Sequence, residues 1–180
     1  MNVKTTERYE VARRVLSRIA HPVTIVAAAN DTERACATGT VMYVSLAPAM
    51  VAIAEHVGSK TSRVIRETGE FSVSLLHDAQ QDIASAAGHS APGNDKFAAL
   101  KIPTIEPPAG FRAPGVAGSL AVLWCTIVNT VETGDHILVV GDVREFHIED
   151  RRWDPLLRYA RRYFRIGHST SEESPEGYPT

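Results

Sequence analysis

Segment 56–68, HVGSKTSRVIRET, sets two hydroxyls and an ammonium, Ser59, Lys60 and Thr61, at the start of what reads as a helix. The first N–H groups of a helix lack intrahelical acceptors and carry partial positive charge, so such an end suits a phosphate. The same residues also make an ordinary Ser/Thr cap beside a solvated lysine. Gly58-Ser59-Lys60-Thr61 lacks the upstream glycine of a P-loop, and Ser59 divides the Gly-Lys pair, so no nucleotide-hydrolysis signature is present. None of the seven histidines pairs with another at i+2, i+3 or i+4, so no helical or strand metal-ligand motif occurs. G-x-S-x-G and G-x-G-x-x-G are both absent, which argues against a nucleophile elbow and a Rossmann dinucleotide site. His136 opens a strand directly after Thr133-Gly134-Asp135 and by itself reads as a turn histidine bonded to Asp135. Arg161, Arg162 and Arg165 either reach a phosphate, from this chain or a partner chain, or form a solvated basic face.

The elements that must position these residues are mostly short strands. A helix is expected over 5–20, capped by Thr5 or Thr6, with Ala12, Val15, Leu16 and Ile19 on one apolar stripe. Residues 23–29 read as a strand entering a hairpin at Asn30-Asp31, with 33–43 returning and 50–54 as a further buried strand. A helix to about Thr68 stops at Gly69, 71–76 is a strand, and the Ala-rich 79–87 is a helix stopped by Gly88. The Gly- and Pro-rich stretch 88–118 is loop with a short helical piece at 95–100. Residues 120–131 and 136–147 form a hairpin, followed by a short basic helix near 155–162. Regularly spaced strands with turn signals and helices as inserts favour a closed antiparallel barrel or sandwich over a doubly wound sheet.

The chain has 180 residues, 44% hydrophobic and 22% charged, which is enough for one domain with a sizeable core. That domain is expected over 1–168, with a polar, disordered tail over 169–180. A net charge of -2 offers no global attraction to nucleic acid or to an anionic membrane surface. There is no apolar run of membrane-spanning length and no secretion signal, so a cytoplasmic location is expected. Cys36 and Cys125 read as reduced, buried core residues.

The order of motifs resembles the flavin reductase family of FMN-binding split-barrel proteins. The stretch CATGTVMYVSLAPAMVAIAEHVGSKTSRVI carries it: a small, hydroxyl-rich strand at Ala37-Thr38-Gly39-Thr40, then Val44-Ser45-Leu46-Ala47-Pro48, a buried strand and Ser59-Lys60-Thr61. FSVSLL at 71–76, Asp95-Lys96-Phe97, Gly134-Asp135-His136 with Val140-Gly141-Asp142-Val143, and the Pro155 to Arg165 segment follow in family order. The resemblance spans about residues 22–167. Two departures stand out: Ala49 replaces the second proline of a Pro-Pro pair, and Gly39-Thr40 replaces a more polar pair.

The resemblance implies an antiparallel Greek-key split β-barrel with peripheral helices, forming a homodimer with flavin near the subunit boundary. It implies FMN as the flavin, with FAD possible, and NADH or NADPH as electron donor. Ala37, Gly39 and Ala47 would let the ring approach backbone, Thr38, Thr40 and Ser45 would bond to ring or ribityl oxygens, and Leu46 would also bind the cofactor. Ser59, Lys60 and Thr61 would hold the phosphate, Phe97 and Tyr163 would be pocket walls, and His136 would border the nicotinamide. The implied activity is hydride transfer from the nicotinamide to FMN, with reduced flavin passing to an oxygenase or another acceptor. Two rivals stay open: an enzyme that retains FMN and acts on a small organic substrate, and a flavin- or haem-binding module without turnover.

Overall fold

A computed structural model describes residues 3–151 and 153–167 of the chain. The expected tail over 169–180 lies outside these residues. In chain order, α1 (Val3–Leu16) and β1 (His21–Pro22) lead into β2 (Thr24–Ala29), β3 (Arg34–Leu46) and β4 (Ala49–His56). Helix α2 (Lys60–Thr68) connects to β5 (Glu70–Leu75), followed by α3 (Gln81–Ala87), α4 (Lys96–Leu100), β6 (Thr104–Ile105) and β7 (Gly115–Val116). The long pair β8 (Ala121–Thr133) and β9 (His136–Ile148) precedes a small hairpin, β10 (Leu157–Tyr159) and β11 (Arg162–Phe164). No helix among the described residues is long and apolar enough to cross a membrane.

Six antiparallel strands close a barrel in the order β2-β3-β4-β9-β8-β5. Strands β2, β3 and β4 follow one another by tight connections, and β5 returns through α2 to lie beside β2, which is the Greek-key pattern expected. The turn from β2 to β3 is set by Asn30, whose side-chain oxygen accepts from the backbone N–H of Thr32 at 3.0 Å and of Glu33 at 2.8 Å. Ser59 caps α2 by accepting from the N–H of Ser62 at 3.0 Å, and Gly69, at φ 74°, ends it in the left-handed region.

The interior is filled by alternating residues of the barrel strands, Val26, Val51, Ile53, Phe71, Val73 and Val139 among them, with Val64 and Ile65 of α2 packed in. A second apolar cluster lies around Ile25, Ala27 and Cys36, against Ala84, Ala87 and Phe97 of α3 and α4. Every residue of β2 is therefore buried. Both cysteines are free and buried, and burial pushes their thiols up, to about 11 for Cys36 and about 12 for Cys125.

A side chain at Gly141 would collide with the core. An added Cβ there falls 2.5 Å from Cζ of Phe71 and 2.9 Å from Cβ of Cys125. Gly141→Ala is expected to lower the unfolding free energy by about 1–3 kcal/mol, read from the urea midpoint at unchanged m-value.

Two expectations are corrected. The segment near 155–162 is a strand pair, because β10 takes hydrogen bonds from both β1 and β11. Ala160 and Arg161 turn this hairpin with φ 47° and 65°, values that a right-handed helix cannot include. The first helix begins at Val3, upstream of the expected cap, and ends at Leu16 instead of about residue 20. The chain there docks on the hairpin through the N–H of Ala160 to the carbonyl of Ser17 at 2.7 Å. Its apolar stripe also stays exposed in the single chain: Val15, Leu16 and Ile19 are each about 60% accessible.

Candidate functional site

Strand β3 changes partner along its length. Residues 34–39 pair with β2, whereas Thr40 onward pairs with β4. The β3–β4 ladder begins only at Thr40 and Ala54, while β4 stays paired with β9 down to His56 opposite His136. Between 35–39 of β3 and the end of β4 the sheet therefore parts. A cavity of about 410 Å³ opens in this gap, and a second of about 630 Å³ adjoins it. Both volumes lie in the range of small-ligand sites. The two cavities share Thr38, Ala54, Gly88, His89 and His136 as walls, so they form one continuous groove.

The smaller cavity ends on α2, at Ser59, Lys60 and Thr61. The first turn of α2 directs free backbone N–H groups and the positive end of the helix dipole there. The Lys60 ammonium donates to the Gly93 carbonyl at 2.9 Å and lies 3.5 Å from the Glu33 carboxylate. Arg63 also binds Glu33, and its guanidinium holds that carboxyl below the usual range. A second ammonium, Lys96 of α4, borders the same cavity and donates to the Ala87 carbonyl at 2.7 Å. Two cations, a helix N-terminus and hydroxyls at one end of a groove make an anion-binding end.

The larger cavity is walled by Thr38, Gly39 and Thr40 on one side and by Tyr163 on β11. Arg158 lies 4.5 Å from the centre of the Tyr163 ring, and both line this cavity together with Arg161. His136 stands where the cavities meet. Its Nδ1 is 2.7 Å from Oδ1 of Asp135, and its ring meets His56 edge-on at 5.7 Å between centroids. The imidazole in turn holds the Asp135 carboxyl below its ordinary value.

The structure thus brings together eight of the residues expected from sequence: Ala37, Thr38, Gly39, Thr40, Ser59, Lys60, Thr61 and Tyr163, with His136 between them. Five others lie elsewhere in the single chain. Phe97 is not a pocket wall: it is 1% exposed in the second core cluster, with the Arg34 guanidinium 5.4 Å from its ring centre. Ser45, Leu46 and Ala47 sit at the far tip of the β3–β4 hairpin, outside both cavities, and Leu46 is 83% exposed. Arg165 pairs with Asp78 at 3.7 Å instead of facing the groove.

Sequence reading missed Glu55, Lys96 and His89 as walls of the groove. The signal for Glu55 was there: it is the one carboxylate in the apolar run MVAIAEH. Lys96 stood inside the Asp-Lys-Phe motif, but only the fold turns its amine toward the groove.

Residues 16–167 match the family described as flavin reductase like domain. The reductase component of 4-hydroxyphenylacetate 3-monooxygenase from Thermus thermophilus is 32% identical over 158 residues, covering 87% of this chain and 96% of that protein. The NADH:riboflavin 5'-phosphate oxidoreductase of Streptomyces pristinaespiralis is 31% identical over 152 residues, 83% of each. Among solved structures, the NADH:FAD oxidoreductase of Streptomyces globisporus superposes with a TM-score of 0.81 at 26% identity, covering 89% of this chain and 94% of that one. A closed antiparallel barrel, a groove where its sheet parts and these similarities agree: the chain belongs to the flavin reductase family.

Proposed function

We propose that this protein is an NADH-dependent flavin reductase that takes FMN in preference to FAD and supplies reduced flavin to a partner monooxygenase. The observation that carries the reading is the continuous groove, cationic at the α2 end and flanked by small and hydroxyl-bearing residues at the other. A single phosphate suits the α2 end, where Ser59, Lys60 and Thr61 would hold it. Thr38, Gly39 and Thr40 would face the ring system, with Tyr163 opposite. The buried Oε1 of Glu55, which has no hydrogen-bond partner among the described residues, is a further polar atom that a ligand in this groove could reach. When bound, the flavin supplies the redox centre that accepts a hydride from the nicotinamide. His136 would orient the donor at the junction of the cavities. Relatives named as NADH-dependent or as monooxygenase reductase components support the donor and the partner class.

A homodimer is part of this reading. Met42, Tyr43, Val44 and Leu46 of the β3–β4 hairpin, and Phe146 and Ile148 at the end of β9, are exposed large apolar residues. Burying them against a second copy would remove a patch that water disfavours. In such a dimer the Ser45-Leu46-Ala47 tip would meet the flavin of the neighbouring subunit. Sedimentation of the protein at micromolar concentration is expected to give twice the chain mass.

The test is an absorbance spectrum of the protein with FMN, followed by NADH under anaerobic conditions. Bleaching of the oxidised band with multiple turnovers of free FMN is expected. A yellow protein inert to NADH and NADPH would overturn the reductase reading and favour a binding module. Flavin that stays bound through gel filtration and reduces a small organic substrate would favour the retained-cofactor rival. A variant probes the phosphate end. Lys60→Ala is expected to weaken FMN about tenfold and riboflavin hardly at all, by isothermal titration. That size is the lower part of the range for a charged hydrogen bond, because Lys60 is partly exposed.

A further inference from the structure

Past the last β3–β4 pair, Thr40 with Ala54, the next residues on the two strands are Gly39 and Glu55. Glu55 falls on the inward-facing set with Val51 and Ile53, so the chain places a carboxyl among the core residues of the barrel. Gly39 makes the space for it: an added Cβ there would lie 2.9 Å from Oε1 of Glu55 and 2.6 Å from Cγ2 of Val26. The carboxyl is 3% exposed, and its Oε1 has no hydrogen-bond partner among the described residues. It lines the smaller cavity, while its neighbour Gly39 lines the larger one. Glu55 is thus positioned between the cationic α2 end and the Thr38–Tyr163 end of the groove. Burial pushes its carboxyl up to about 8, and Lys96 only partly opposes this. At neutral pH it is therefore an uncharged acid that can both donate and accept.

We propose that Glu55 is a ligand-contacting residue whose carboxyl hydrogen-bonds a hydroxyl of the ribityl chain joining the flavin ring to its phosphate. This rests on the flavin-site reading above. A polyol fits this position, because each hydroxyl both donates and accepts and so satisfies the orphaned oxygen and the acid proton together. An ionised Glu55 loses its donor and adds a negative charge to a cavity that must hold a phosphate. Flavin mononucleotide affinity should therefore fall as Glu55 ionises. The other titratable groups facing the cavity are Cys36 on β3, His56 on β4, Lys60 on α2, His89 after α3, Lys96 on α4 and His136 on β9. The Cys36 thiol is pushed up to about 11. Glu55, with its carboxyl pushed up to about 8, changes charge between pH 7 and pH 9.

The experiment measures dissociation constants by flavin fluorescence quenching for FMN, riboflavin and lumiflavin, which has the ring but no ribityl chain. For the wild type the FMN constant should rise about tenfold between pH 7 and pH 9, the ionised-to-neutral ratio of an acid near 8 at the higher pH. Glu55→Gln should bind FMN at pH 7 nearly as the wild type does and show no rise. Glu55→Leu should weaken FMN and riboflavin about fivefold, the size of one net hydrogen bond, and leave lumiflavin unchanged. A flat wild-type profile, or tighter FMN binding by the Gln variant at pH 7, overturns the proposal. If Glu55→Leu does not fold, the Gln variant and the wild-type profile decide. A wild-type chain that binds no flavin at either pH overturns the site reading itself, which is distinct from a flat profile with intact binding.

Discussion

Glu55→Gln is expected to stabilise the ligand-free protein by a few kcal/mol above pH 8 and to have little effect near pH 4. The unfolded carboxyl titrates at its ordinary value of 4.5, and burial raises the folded one to about 8. Below pH 4.5 both states hold the proton and the residue costs nothing extra. As pH rises from 4.5 to about 8, unfolding releases a proton that the folded state retains, so stability falls throughout that window. Above about 8 both states are ionised and the loss is complete. Each tenfold weakening of the acid on folding costs roughly 1.4 kcal/mol, so the full loss amounts to a few kcal/mol. Urea denaturation at pH 4.5, 6.5 and 8.5 checks it: the wild type should lose stability across the series relative to the glutamine variant. Parallel pH profiles for the two proteins would mean that Glu55 ionises normally in the folded chain. A core position that weakens the apo fold in this way is the pattern of a residue retained for binding at the cost of stability.

Replacing His136 by alanine is expected to slow reduction of bound FMN by NADH on the order of a hundredfold, or to raise the KM for NADH by a similar factor. The FMN dissociation constant should change less than about fivefold, because a single net hydrogen bond is the most that a group at the cavity junction contributes. The imidazole is 45% exposed, its Nδ1 is held by Asp135 at 2.7 Å, and it walls both cavities. It can thus orient a donor without anchoring the flavin. Asp135→Asn should produce a smaller loss in the same direction, since it frees the ring to rotate. Stopped-flow bleaching under anaerobic conditions, with NADH varied, separates rate from affinity. Wild-type reduction with wild-type nicotinamide dependence would leave His136 a turn residue only. Loss of FMN instead would move it into the flavin shell.

Most of the barrel was legible in the sequence because its signals are local. Asn30-Asp31 and Gly134-Asp135 mark hairpin turns, Ser59 and Gly69 bracket a helix, and runs such as TIVAAA and FSVSLL have strand composition. The cationic α2 end of the groove was legible for the same reason: a helix N-terminus and its cap occupy four consecutive residues. Positions 155–162 were misread because their apolar and basic residues carry no period that separates a helix from a hairpin. Pairing with His21–Pro22, which is more than 130 residues away, decides the matter.

By itself the sequence determined the Greek-key strand set, the helix whose start borders the groove, and the order of motifs shared with the flavin reductase family. Only the tertiary structure decided which residues share a wall. Cys36 and Thr38 fall on one face of β3, yet Cys36 packs into the second core cluster and meets only the smaller cavity, while Thr38 walls both. The hairpin beyond them carries Ser45 to Ala47 away from the groove. Phe97 and Lys96 are adjacent, yet α4 buries the ring in that cluster and points the amine at the cavity. Glu55 reads in the sequence as one acidic residue in a strand. It becomes an uncharged acid only because β3 and β4 part at Thr40, Gly39 leaves room opposite, and the barrel removes water from its carboxyl.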